Sequence, residues 1–346
     1  MISTLSLENR ASLDPGTPAS VCAQGYAPGD LKEVLALATR TRLKPYRHHA
    51  HFGEEALGQL LVARVNRALA GSPHTCVARL DGRLTGAVAA EHLAWDSAQF
   101  DFPAGRIGLL LGTGDYANDL ASYRVLLRTA EKRLYEQHGV RHITLRVDAA
   151  DLAAVHAAGR LGYEQVDGII VLARSCALAP GRDVTAGNTR VRLAGPGDAE
   201  ALAAIARRAY SVTRFHADPH IPHVAADELH AVWLRNSCAG TAADAVVVAE
   251  DQHGPVGYIT CTVAKDTVKV LGGGIGTIVL VATDHRARGR GVATAMTEFA
   301  MRWFSERGCS AVEVGTQLAN IAASRLYESC GFRVAGSYLT LRRWLH

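Results

Sequence analysis

No run in this chain approaches the roughly 20 apolar residues that a membrane-spanning helix needs, and its start shows no basic segment followed by an apolar one. The expectation is a soluble, cytoplasmic protein with no membrane partner. The seven cysteines are scattered, odd in number and nowhere closely paired. That argues against zinc knuckles and disulfide frameworks and fits reduced thiols. No cluster of Lys and Arg marks a nucleic-acid footprint; 37 basic against 33 acidic side chains leave +4, a balance that suits small anionic ligands. Metal-ligand spacing is also missing. The histidines of Tyr46-Arg47-His48-His49-Ala50-His51 lack a cysteine or carboxylate partner at convincing spacing, and His216, His220 and His223 are separated by Pro219 and Pro222, which prevent a helix there. No metal is expected.

What is present suffices for two cores: 346 residues, 48% apolar and 20% charged. After an irregular start or first strand up to about residue 28, helical patterns occupy LKEVLALATRT and EEALGQLLVARVNRAL. A hairpin follows, Cys76–Leu80 to Gly86–Ala90 across Asp81-Gly82-Arg83. Further segments read strand (106–111), helix (120–137), strand (143–147), helix (151–161) and strand (168–173). Residues 176–189, polar and Pro/Gly-containing, read as a linker. The same order then returns, down to a last strand or strands at 334–341. Gly139-Val-Arg-His-Ile-Thr aligns without gaps on Gly308-Cys-Ser-Ala-Val-Glu, placing Gly162-Tyr163 on Gly331-Phe332. The expectation is an α/β protein with two tandem copies of one mixed-sheet fold, residues 1–175 and 190–346.

The most informative stretch is GTIVLVATDHRARGRGVATAMTEFA, residues 276–300. A β-branched strand, Thr277–Thr283, runs into an Arg/Gly turn and then into a helix whose apolar face carries Val292, Met296, Phe299 and Trp303. Glycines at 289 and 291 let the main chain approach an anion, and the helix start offers it N–H groups. The turn Arg288-Gly289-Arg290-Gly291-Val292-Ala293 is R-x-x-G-x-A; Arg286–Gly291 also fits R-x-x-G-x-G, and the later register is preferred because the apolar helix begins at once. An ordinary strand-to-helix turn is the plain alternative. Downstream, Asn320, Ala323 and Tyr327 share one helix face, whereas the first copy has Asp151, Ala154 and Ala158 there. It also has only Ala117–Ser122 where the Arg/Gly turn would be needed, so the chemistry is expected in the second copy alone.

The turn, together with Asn320-x-x-Ala323-x-x-Leu326-Tyr327-x-x-x-Gly331-Phe332, resembles the acyl-CoA signature of the GCN5-related N-acetyltransferases (the GNAT family). The resemblance implies acetyl-CoA as acyl donor and a small-molecule amine as acceptor. Arg288, Gly289, Arg290, Gly291, Val292 and Ala293 would hold the pyrophosphate, while Val281 and Thr283 would align the pantetheine through main-chain groups. Asn320 and Ala323 would flank it, and Tyr327 would be the acid for the departing thiolate. Many members carry a glutamate base on the strand before the turn. None stands here, and Glu313, Glu250, Asp218 and His216, or an ordered water, remain open.

A narrower resemblance points to the acceptor. Thr213–Asp218, Trp233–Ser237, Thr316-Gln317 and Leu93–Phe100 are similar to segments of the dTDP-fucosamine acetyltransferases. This implies a nucleotide-linked 4-amino-6-deoxy sugar met by Arg214, Phe215, His216, Trp233 and Gln317, with Arg214 and Arg235 on the diphosphate. Core packing is the alternative for Trp233. Another amine (antibiotic, polyamine or protein N-terminus) or a non-catalytic acyl-CoA-binding module are the competing readings. The first copy would complete the acceptor pocket or form a homodimer surface.

Overall fold

Among the described residues of the computed structural model (21–49, 52–176, 186–210 and 213–345), eleven strands and helices run in one order and then run again. The first set is β1 (Cys22–Gly25), α1 (Leu31–Arg40), α2 (Glu54–Gly71), β2 (Cys76–Leu80), β3 (Arg83–His92), α3 (Ala94–Phe100), β4 (Ala104–Gly112), α4 (Tyr116–His138), β5 (His142–Asp148), α5 (Leu152–Arg160) and β6 (Glu164–Ser175). The second is β7 (Arg190–Leu193), α6 (Ala199–Ala209), α7 (His223–Cys238), β8 (Ala245–Asp251), β9 (Gly254–Ala264), α8 (Lys265–Leu271), β10 (Gly274–Thr283), α9 (Val292–Glu306), β11 (Cys309–Gln317), α10 (Ile321–Ser329) and β12 (Arg333–Trp344). The expected irregular start up to residue 20, Ala50-His51 and most of the linker lie outside the described residues.

The strands form one mixed sheet of twelve, ordered β1-β2-β3-β4-β5-β12-β6-β11-β10-β9-β8-β7. The two copies are therefore joined by exchange. β12, the last strand of the second copy, lies between β5 and β6 of the first, and β6 lies between β12 and β11.

Alternation along the strands feeds two helical layers. Cys76 and Ala78 of β2 face α4, whereas Val77 faces α1 and α2; Ile259 and Cys261 of β9 face α9, whereas Tyr258 faces α6 and α7. Helix α1 shows why such segments dock: Val34, Leu37 and Ala38 are spaced as one stripe and are buried. Helix α9 buries a wider arc than its four expected residues. Val292, Met296 and Trp303 are buried, Phe299 is half-buried, and Glu298 is buried against Arg174 of β6 at 2.8 Å. At the crossing of α9 and β10, Gly276 is required by space, because a Cβ there would lie 2.4 Å from the Phe304 ring.

Candidate active site

Strand β10 pairs with β11 in parallel from Gly274↔Cys309 to Ile278↔Val314, and there the pairing ends, although the strands continue to Thr283 and Gln317. A bulge between Ile278 and Val281 accompanies the parting. On its other edge β10 stays paired with β9 through Val281↔Ile259 and Thr283↔Gly257. The two strands thus open a split whose β10 side presents an unpaired main-chain edge.

The Arg/Gly turn sits at the mouth of this split. Asp284 accepts from the Arg286 N–H, a 3-10 turn follows at His285–Ala287, and buried Ala287 anchors it. Gly289 (φ 73°) and Gly291 (φ 76°) then take left-handed conformations that a Cβ would strain. Gly291 is the N-cap of α9 and offers no side chain, so none caps the N–H groups of the first turn. Arg290 is exposed and makes no ion pair among the described residues, while Arg288 donates to the Thr283 carbonyl at 3.4 Å. A concavity of about 630 Å³ adjoins the turn, lined in part by Arg286, Arg290, Asp251 and His253. Left-handed glycines, an uncapped helix start and nearby cations fit a diphosphate.

The corresponding place in the first copy is Thr113–Asp115, three residues between β4 and α4 against eight between β10 and α9; Ala117–Ser122, expected to stand there, lie inside α4. Its N–H groups are already taken by the chain's own carboxylates. Asp119, 4% exposed, accepts from the N–H groups of Thr113 (2.6 Å) and Gly114 (2.8 Å), and Asp115 caps α4 through Asn118. A Cβ on Gly112 would come within 2.5 Å of both the Asp119 carboxylate and the Tyr123 hydroxyl. The cradle is filled from within.

Tyr327 is the buried residue of α10, 3% exposed, and packs in the same core cluster as Val292, Ala295 and Val281. Tyr327 also neighbours Tyr210, which is hydrogen-bonded to Val281 of β10, so the tyrosine stands beside the β10 border of the split. Burial, and then the neighbouring Tyr210 hydroxyl, hold the Tyr327 phenol above its ordinary value. Tyr210, just past α6, gave no signal in the sequence. Its hydroxyl donates to the Val281 carbonyl at 3.2 Å and accepts from Tyr258 at 3.1 Å. Asn320 is the N-cap of α10, its side-chain oxygen accepting from the Ala323 N–H at 3.1 Å; the residue as a whole is exposed.

The expected acceptor residues separate into two groups. Gln317 ends β11 beside the Asp167 carboxylate, and Arg214 lies over the Phe215 ring at 4.6 Å near Arg146, Asp96 and Asp167. The others are engaged in packing. Phe215 meets Phe100 at 5.2 Å in a small core between the copies, Trp233 packs against the α6–α7 core, and His216 is held by Thr213 and Asp227. Arg235 is bound by Glu200 and Glu228.

Of the four candidate bases, Glu250 pairs with Arg192, and Asp218 accepts from Trp344 and lies at 3.1 Å from Arg342. His216 is held as described. Glu313 is on β11, bordering the split, and contacts His49 of the first copy at 2.7 Å. Among the described residues no group of three metal-binding side chains occurs, and no helix is long and apolar enough to cross a membrane.

Residues 202–332, most of the second copy, match the acetyltransferase (GNAT) family model, and the chain carries that fold in tandem. Among particular relatives, it is 31% identical over 149 residues (43% of this chain, 48% of the relative) to the spore coat polysaccharide biosynthesis protein SpsD of Bacillus subtilis. It is 26% identical over 202 residues (58% of this chain, 81% of the relative) to the dTDP-fucosamine acetyltransferase of Escherichia coli O6:H1. The chain thus spans about half the length of the first. In fold it is similar to a GCN5-related N-acetyltransferase from Sphaerobacter thermophilus, with TM-score 0.62, 16% identity, and coverage of 94% of this chain and 95% of that one.

Proposed function

We propose that the protein is an acetyl-CoA-dependent N-acetyltransferase that moves an acetyl group directly to the amine of a nucleotide-linked 4-amino-6-deoxy sugar. The observation that supports the reading most is the open edge of β10, followed by an uncapped, glycine-bearing helix start and bordered by a buried tyrosine beside Tyr210. In this reading Arg288–Ala293 bind the pyrophosphate, and Val281 and Thr283 align the pantetheine, with Asn320 and Ala323 beside it. The amine nitrogen attacks the thioester carbon, the C–S bond breaks, and Tyr327 gives its proton to the sulfur. Glu313, positioned by His49, takes the proton the amine loses. Arg214 and Gln317 meet the acceptor. Residues 190–346 form the catalytic copy and 1–175 the degenerate one, joined by 176–189; the self-filled turn around Asp119 supports that assignment. Seven free thiols suit the cytoplasm.

The acceptor assignment leans on the dTDP-fucosamine acetyltransferase relative. Purified protein is to be given acetyl-CoA with a nucleotide-linked amino sugar and, separately, with an aminoglycoside. Acetylated sugar is the expected product. Product from the aminoglycoside alone removes the sugar assignment, and bound CoA with no acylated amine removes the catalytic one.

A further inference from the structure

On the side of the sheet opposite α4, α5, α9 and α10, the strands between the two copies carry a row of polar side chains. Arg146 of β5 pairs across to Thr340 of β12, and Thr340 pairs to Asp167 of β6. In the next row Asp148, Tyr338, Ile169 and Gln317 follow one another from β5 to β11. Partners in such pairs share a face, so this floor runs from Arg146 to the mouth of the β10–β11 split. Three strand spacings separate its ends, about 14 Å. Arg106 of β4, paired with Thr144 and therefore on the same face, stands at the far edge, and Arg214 reaches in from the segment before α7.

Two of these cations have no ion-pair partner among the described residues. Arg106 is bound to Glu91 at 2.7 Å. Arg146 and Arg214 make no hydrogen bond or ion pair among the described residues, although Arg214 feels the charge of Arg146. Asp167 acts on both and Asp96 on Arg214, without reaching ion-pair contact. Arg146 is exposed to water, although the surrounding chain disfavours its charge through desolvation. Two guanidinium groups near enough for one to feel the other, with no hydrogen bond or ion pair among the described residues, present the fork geometry that phosphate oxygens match.

We propose that Arg146 of the first copy and Arg214 of the second together bind a diphosphate group on the acceptor, at the junction of the copies and about 14 Å from the split. The assignment rests on the acetyltransferase reading and gives a role to the degenerate copy, which holds the anionic tail while the second copy carries the reacting amine. Asp96 and Asp167 are then acceptors for hydroxyl groups between the two ends. The exposed indole of Trp95, beside Asp96 on α3, offers a stacking surface to a nucleobase.

The test measures binding of a nucleoside diphosphate, and separately of inorganic pyrophosphate, to protein saturated with CoA so that the Arg/Gly turn is occupied. Arg146→Ala and Arg214→Ala are each expected to weaken the nucleoside diphosphate about tenfold or more, and Arg146→Lys to weaken it less than Arg146→Ala. CoA affinity should stay within about twofold, and the loss should shrink at high salt. Binding of the nucleoside diphosphate but not of pyrophosphate identifies a nucleotide-linked acceptor; binding of both identifies any diphosphate, lipid-linked included. Since Arg146 has no ion-pair partner among the described residues, Arg146→Ala should melt no lower than the parent, which separates loss of binding from loss of folding. Failure of the CoA-saturated parent to bind either probe, or undiminished binding by the double variant, overturns the proposal. Binding that depends on both arginines with no acetyl transfer to any amine leaves the site standing and removes the acetyltransferase reading instead.

Discussion

Tyr327 occupies a position where a hydroxyl needs a reason, because a phenol buried to 3% exposure costs desolvation that phenylalanine would avoid. Burial and Tyr210 raise its proton affinity, so at neutral pH it is a neutral donor. Tyr327→Phe is expected to lower kcat about 100-fold or more while leaving acetyl-CoA affinity within about twofold, because the proton is needed only as the thiolate departs. Equilibrium binding beside single-turnover rates checks this. Collapse of affinity with unchanged turnover per bound complex would assign the residue to packing. With Tyr327 as the proposed acid, the protonated form is the active one, and its pKa in the folded protein exceeds the usual value near 10. An alkaline loss of kcat due to Tyr327 must therefore fall above about pH 10, and a limb near pH 8 that disappears in the phenylalanine variant contradicts the acid role. His142 shifts the other way: burial is the largest cause and lowers it to about 4, against the opposing pull of Asp218. The unfolded chain then binds the proton first, so stability from this residue is complete above about pH 6.5 and drains away toward pH 4, an effect on the order of 1–3 kcal/mol. Unfolding midpoints across that range should slope less in His142→Gln than in the parent.

At the scale of elements, the turn before α9 is built from main-chain conformation, and that explains what was legible in the sequence. Gly289 and Gly291 are read from the chain because left-handed backbone favours glycine, and the helix after them shows its apolar stripe at once. The Asn320–Tyr327 face is legible for the same reason, being set by helical spacing alone. The split is not legible: the parting of β10 from β11 depends on a bulge and on pairing between residues about 35 positions apart, neither of which has a residue signature. Tyr210 is silent likewise, since its partner Val281 lies 71 positions away. Helices α3 and α8, each of seven residues, are too short to show a period; Phe215, read as a ligand aromatic, and Trp233, read as that or as core, both pack in apolar clusters. The main-chain role of the turn yields a sharp test. Gly291→Glu forces a side chain into φ 76° and sets a carboxylate before the uncapped helix, and it should weaken CoA binding at least about tenfold. Unchanged CoA affinity, measured by calorimetry on folded variant, would move the donor site elsewhere.

For the whole molecule the decisive feature is the exchange of last strands. Removing the second copy would leave β5 and β6 without the strand that bonds to both, and removing the first would expose β11 and strip β12 of both neighbours. The copies are thus two by sequence and one by hydrogen bonding, and their stabilities should be inseparable. The Arg174–Glu298 pair reports on this directly, because it joins β6 of the first copy to α9 of the second at 2.8 Å, with Arg174 also donating to the Cys330 carbonyl at 2.6 Å. Glu298 is fully buried, so Arg174→Met would take the 2.8 Å cation from a carboxylate in the core, and the expected cost is about 3–5 kcal/mol. If the exchange makes one cooperative unit, that loss appears as a single calorimetric transition shifted down, with fluorescence from Trp95 in the first copy and Trp303 in the second changing together. Two transitions, with the Trp95 signal held at its parental midpoint while Trp303 moves, would mean that each copy keeps its own core and that the shared sheet is only a seam. In that case the first copy could swing relative to the second. Arg146 could then hold no fixed distance from the split, which makes the cooperativity of unfolding a structural condition for acceptor recognition across the junction.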